Sequence, residues 1–284
     1  MAYGDYVNSG STTTNNAVPG LANGIGESSI YDIDARAKFA IGTGFVRADG
    51  NRYRYGNFIT ACTQGKLVSH LRADLDKVST NALLVAPAAA YQQPNETPGL
   101  YPGAIGSRYL IYTLASTIKD QFQGGYITMT KDTGVGYSYR IKGNTAAATL
   151  NAVANLVIIE LYEPLVVAID TTTDTSVTAS LYNDLVAGFA SAANNICVGV
   201  TVANMTANTY GWICTHGVCA CLQDGTVANG DMIQASALTA GAFSTYGVGT
   251  TSNGAGILFG GQVIGYAIDQ SATTQHATIY LQIE

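Results

Sequence analysis

Turn-forming residues cut this chain into apolar runs of strand length. Asp49-Gly50, Asp132-Thr133-Gly134 and Asp224-Gly225 each follow such a run, and Asp-Gly is a pair that readily takes the positive φ of tight hairpin turns. The runs themselves favour pleated structure. Tyr, at 18 residues, and Thr suit half-buried sheet surfaces, and 32 Gly supply turns and bulges. Good helix formers such as Lys, Glu and Met are scarce. An all-β chain is the expectation.

The chain, at 284 residues, allows one large or two ordinary domains. The stretch from Ser9 to Asn16, Pro19-Gly20 and Gly24-Ile25-Gly26 are polar or small, so the first residues cannot fold by burying apolar surface. An extended arm over 1–40 that docks on a neighbour is expected. Phe45 to Ala48 and Tyr53 to Tyr55 then read as a hairpin around Asp49-Gly50. Leu67, Leu71, Leu75 and Val78 are spaced for one face of a short helix, while nearby Leu83-Leu84-Val85 reads equally as strand. Four of the six prolines lie between Pro87 and Pro102, which predicts an irregular loop.

A second hairpin is predicted from Tyr126 to Thr130 and from Tyr137 to Ile141. Longer apolar strands follow at Val157–Tyr162 and Leu165–Ile169, split by Pro164, then at Val177–Leu181 and Ile196–Val202. Tyr210–Thr215 and Val218–Leu222 read as two strands turning at Gly217, and Gln262–Ile268 and Thr278–Ile283 as the last two. Short strands at this spacing argue for a barrel or sandwich rather than βαβ units. The change of pattern near residue 145 suggests domains over 41–145 and 146–284.

Charge narrows the function. Apolar residues make up 47% of the chain and charged residues only 11%, against ~25% in an average globular chain. A surface so poor in charge fits a protein largely covered by neighbours. Net charge is −6, which disfavours nucleic-acid binding, since phosphate contacts need clustered Lys and Arg. Met1-Ala2-Tyr3-Gly4-Asp5 does not open a secretory signal, and Leu156–Ile169 is too short and too polar to cross a bilayer, so synthesis and assembly in the cytosol are expected.

Candidate chemistry is sparse. Cys214, His216, Cys219 and Cys221 are potential metal ligands, but their spacing matches no standard zinc site, and small residues filling a barrel interior explain them as well. Cys62 and Cys197 bring the cysteines to five, an odd number that argues against a disulfide framework. No nucleophile elbow is present, and His70, His216 and His276 are the only histidines. Neither Asp32-x-Asp34 nor Asp74-x-Asp76 has the remaining ligands of a calcium loop. Expected are no catalytic residues, no metal and no cofactor. Arg47, Arg52, Tyr53, Arg54 and Tyr55 form the densest basic-aromatic stretch, read here as a protein–protein contact in preference to single-strand nucleic-acid binding, because Tyr and Arg are favoured at interface hot spots and the chain is acidic.

The run from Tyr210 to Cys219 resembles a strand pair of phage virion structural proteins, an aromatic-Gly-Trp stretch followed by a Gly turn. Asp224 to Ile233, Gly260 to Ala267, Ala277 to Leu281, Gly134 to Asn144 and Tyr162 to Leu165 are similar to the same proteins. The resemblance covers roughly residues 100–284. It implies a capsid decoration, or cement, protein of the bacteriophage virion: an antiparallel barrel or sandwich of β-tulip or jelly-roll type with an extended arm. It further implies a homotrimer on the outer surface of the capsid, with the major capsid protein as partner and no membrane contact. The alternatives are a tail fibre or baseplate component that binds a host glycan, and the major capsid protein itself.

Overall fold

A computed structural model describes residues 29–70, 76–79, 101–150, 153–188, 196–250, 256–258 and 262–284. The described elements are all strands, with no helix among them. Strands β1 (Ile33–Asp34), β2 (Gly44–Val46), β3 (Arg52–Phe58) and β4 (Leu67–His70) come first. Next are β5 (Asp76–Ser79), β6 (Tyr109–Thr113), β7 (Tyr126–Lys131), β8 (Ser138–Asn144), β9 (Ala148–Leu150), β10 (Val153–Leu161) and β11 (Asp174–Thr178). The chain continues through β12 (Leu185–Ala187), β13 (Cys197–Thr201), β14 (Thr209–Leu222), β15 (Met232–Ala235) and β16 (Phe243–Thr245). It ends with β17 (Val248–Thr250), β18 (Gly256–Leu258), β19 (Val263–Ala267) and β20 (His276–Gln282).

Two compact units result, and the first is discontinuous: Met1–Leu71 joins Leu181–Glu284, while Arg72–Ser180 forms the second. The boundary expected near residue 145 falls inside the second unit, where β8 pairs with β10 on its far side. In the first unit β14, β13, β4, β12 and β3 pair in that order, and β3 pairs again with β14 to close a five-stranded barrel. One of its pairings, β12 with β3, is parallel. Beyond β14 the sheet extends through β20, β19, β15 and β16.

Strand β14 closes the barrel by pairing with both β13 and β3, and it is long enough to carry β20 as well. Its first half pairs with β3 from Thr209 to His216 and its second half with β20 from His216 to Leu222. The expected turn at Gly217 is therefore absent: the strand runs on, bent by a bulge between Cys214 and His216. Gly217 is required there for another reason. It has φ +99, and a Cβ would overlap the Asn51 amide that caps the β2–β3 hairpin.

An aromatic cluster is buried on one face of β3 and β14, while Phe58, Val68, Leu185, Val198 and Ile213, one from each barrel strand, form a separate core. Trp212 is fully buried, with its ring centroid 5.2 Å from Tyr55, 5.4 Å from Phe39 and 6.1 Å from Phe45. Tyr55 donates its hydroxyl to Asp34 at 2.8 Å, and Lys38 neutralises that buried carboxylate at 2.5 Å. Residues 1–28 of the expected arm lie outside the described residues. Residues 29–40 do not behave as an arm: Ile30 and Phe39 are buried, and β1 pairs with β14.

The second unit is an antiparallel sheet in the order β5-β11-β7-β8-β10-β6, with β9 on β10. The hairpin predicted around Asp132-Thr133-Gly134 is present as β7–β8, with positive φ at Asp132 and Gly134. Leu165–Ile169 is no strand. Both ends of that segment are buried, but its amides bond to loop carbonyls of Ser107 and Gly103, because Pro164 denies it a ladder. The predicted helix over Leu67–Val78 is also absent. Leu67 to His70 is a strand buried on both faces between β12 and β13, and Asp76 to Ser79 pairs with β11. Leu71 and Leu75 lie outside the described residues, as does most of the proline-rich loop.

Removing the Tyr55 hydroxyl leaves the buried Asp34 with one partner fewer. Tyr55→Phe is expected to cost about 1–3 kcal/mol in urea unfolding followed by Trp212 fluorescence, with emission at buried-indole wavelengths before the transition.

Candidate functional site

On β3 the side chains alternate, as a strand requires. Tyr53 and Tyr55 share a buried face with Trp212, Arg52 is exposed, and Arg54 is half-buried. The five residues predicted as one contact patch therefore divide between two faces. Arg54 is engaged within the chain. Its Nε donates to the Glu284 carboxylate at 2.9 and 3.1 Å, and its guanidinium lies 5.8 Å from the Tyr182 ring.

A polar network grows around that carboxylate. Tyr182 donates to Glu284 Oε1 at 2.7 Å, and Thr215, the bulged residue of β14, donates to Oε2 at 3.2 Å. His216 Nδ1 donates to the Glu284 main-chain carbonyl at 2.7 Å, and the Tyr280 hydroxyl meets His216 Nε2 at 3.2 Å. Burial alone would push the Glu284 carboxyl up. The hydrogen bonds from Tyr182 and Arg54, with the Arg54 charge, outweigh it and hold the group below its ordinary value. Nothing in the local sequence foretells this network, because its members come from positions 54, 182, 215, 216, 280 and 284.

Cys214 and His216 do not converge with Cys219 and Cys221 on a metal position. Both ring nitrogens of His216 are engaged, and Cys214 Sγ points back to the His216 carbonyl at 3.4 Å. Among the described residues no group of three or more His, Cys, Asp or Glu is placed to hold a metal ion. Four of the thiols are also held protonated. A hydrogen bond with Cys214, then burial, raises Cys219 well above the usual thiol range. Burial likewise raises Cys221, pushes Cys197 up to about 12 and Cys62 up to about 11. A thiol must lose its proton to act as nucleophile or ligand.

The other histidines also serve main-chain carbonyls. His70 Nδ1 donates to Asn183 at 2.5 Å, and His276 Nε2 to Gln64 at 3.3 Å. What the first unit does offer is a cleft of about 360 Å³ between the β2–β3 hairpin and the second half of β14. Arg47, Asn51, Tyr53, Gln64 and His276 supply its polar groups, with Val218 and Ala220 of β14 as its floor. Arg47 Nη1 and Asn51 Nδ2 both donate to the Tyr53 hydroxyl, at 3.5 and 3.4 Å. Sequence reasoning found Arg47 and Tyr53 but missed Gln64 and His276, which join the cleft only through β14 and β20.

No family model, curated protein or solved structure matches the chain.

Two outcomes follow from these groups. The Glu284 carboxyl is held below its ordinary 4.5, so its stabilisation is complete above that value and is lost as pH falls through the lower folded value. Glu284→Gln is expected to cost about 1 kcal/mol at pH 7, the site being partly solvated. It should also flatten the acid side of a melting-temperature profile, and a parallel profile would refute the network. In the folded protein at pH 7, thiol reagents should modify half-buried Cys219 before the buried cysteines. Added zinc should leave the melting temperature unchanged.

Proposed function

We propose that this protein is a structural component of a bacteriophage virion, a decoration protein that binds the outer face of the capsid and bridges neighbouring subunits. One observation carries the reading: a charge-poor chain presents large apolar side chains to solvent on both of its units. Leu238 is 84% exposed and Val46 58% in the first unit, and Ile118 is 67% and Ile105 62% exposed in the second. Single exposed apolar residues are ordinary. Their number here, with charged residues at 11%, fits a surface that a lattice covers.

Charges that would solvate such a surface are partly engaged within the chain. Lys38 pairs with Asp34, Arg54 with Glu284, and Lys142 with Glu160. Apolar and hydrogen-bonded contacts hold in salt, which screens exposed ion pairs. A ligand that binds only the assembled shell stabilises it by mass action, with no chemistry required. The protein acts on this reading as a homotrimer beside the major capsid protein, on virions assembled in the host cytoplasm.

A second reading, a tail component that binds a host glycan, draws support from the second unit. Tyr126 and Tyr137 are about half exposed, and the Arg140 guanidinium lies 5.0 Å from the Tyr162 ring, a Tyr-Arg surface suited to stacking on sugars.

Co-sedimentation with undecorated heads of the encoding phage separates the two. The full chain is expected to pellet with heads and add outer-surface density in cryo-EM. A form lacking residues 1–28, which keeps Ile30, β1 and Phe39, is expected to stay folded and lose that binding. Recovery of the protein in tails, with none on heads, would replace the first reading by the second.

A further inference from the structure

The hydrogen-bonding pattern of β14 leaves an opening in the floor of the cleft. In an antiparallel strand, alternate residues direct their N–H and C=O groups to the same side. Thr278, opposite Ala220 on β20, gives its carbonyl to Ile268 and Asp269 instead of to β14. Ala220 therefore faces away from β20, as do Val218 and Leu222. On that side the β2–β3 hairpin has already ended, because the β3 register stops at Arg52 opposite His216.

Two substitutes occupy the ends of the vacated edge. The Asn51 side-chain amide takes the place of a strand at Val218, accepting from its N–H at 3.0 Å and donating to its C=O at 3.1 Å. The Gly65 carbonyl accepts from Leu222 N–H at 2.8 Å. Between them Ala220 is exposed, and its N–H and C=O have no partner among the described residues.

Charge gives the edge a preferred guest. The chain has 19 acidic and 13 basic residues, yet no Asp or Glu lines this cleft, while Arg47 does. The ion pair that Arg47 makes among the described residues, with Asp49, is a loose one at 3.6 Å. Tyr53 is 3% exposed and accepts from both Arg47 and Asn51, which leaves its own O–H to donate. No acceptor for that proton occurs among the described residues.

We infer that this cleft takes an extended peptide segment bearing a carboxylate, whose main chain pairs with Ala220 and whose acid meets Arg47 and the Tyr53 hydroxyl. Main-chain pairing at a strand edge supplies affinity and the side-chain position supplies specificity. A charge-assisted bond to arginine is stronger than a neutral one. On the function proposed above, the guest is an acidic stretch of a capsid subunit; the binding itself requires only the cleft.

The test uses the full chain alone, labelled with nitrogen-15, and three probes: the acetylated, amidated peptide Thr-Val-Asp-Val-Thr, its Asn counterpart, and inorganic phosphate. The Asp peptide should move the Ala220 amide and Arg47 Nε–H resonances saturably, with at least fivefold weaker binding by the Asn peptide. Arg47→Gln should weaken the Asp peptide about tenfold and leave the Asn peptide unchanged. Ala220→Pro, which removes the N–H, should abolish both; were it to unfold, Arg47→Gln still decides the acidic half. Phosphate moving Arg47 as tightly as the Asp peptide, with Ala220 unmoved by either peptide, would overturn the proposal in favour of a plain anion site. Equal binding of the Asp and Asn peptides would overturn the acidic requirement. Heads are absent from this titration, so its failure leaves the decoration reading standing, and failure of head binding leaves the cleft standing.

Discussion

Main-chain pairing along one fourteen-residue strand governs the first unit. Thr209–Leu222 closes the barrel with β3 and carries β20, and through it β19, β15 and β16, along its second half. A twisted strand cannot hold both sets of partners without bending, and the bulge at Thr215 with the positive φ of Gly217 provides the bend. The side chains then sort themselves. Trp212 falls into the buried aromatic cluster, while Thr215 and His216 meet Glu284 on the outside. The opening at Ala220 arises from the same constraint, because β3 ends before β14 does.

Much of this was legible in local sequence, and where it failed the reason is physical. Asp49-Gly50 and Asp132-Thr133-Gly134 announced their hairpins because a tight turn needs residues that accept positive φ. Gly217 misled for the same reason: its positive φ serves a bend inside a strand instead of a turn between two. Leu67 fits a helical spacing with Val78, yet Leu67–His70 is a strand buried on both faces and has no alternation to show. The thiols read as interior filling, and Cys197, Cys214 and Cys221 are buried as such. Period-two alternation along Arg52-Tyr53-Arg54-Tyr55 is enough to separate the rings from the guanidinium groups, so that stretch never made a single patch. The Glu284 network and the cleft were out of reach, since they join residues up to 230 positions apart.

The scarcity of charge joins fold to function. The buried Asp34 has Tyr55 and Lys38 as partners, and the histidines serve main-chain carbonyls. With several cations held in such pairs, the exposed surface relies on Thr, Ser, Tyr and scattered large apolar residues. A lattice that repeats one contact many times suits such a surface, and a strand edge left open at one residue suits a neighbour that arrives as extended chain.

The most direct test of this account is hydrogen–deuterium exchange of the protein free in solution and on purified virions, read by mass spectrometry. The account predicts that the protein is recovered from heads and that the peptide covering Gly217–Leu222 exchanges more slowly there than in solution. Identical exchange in both states, or absence of the protein from purified virions, would contradict it.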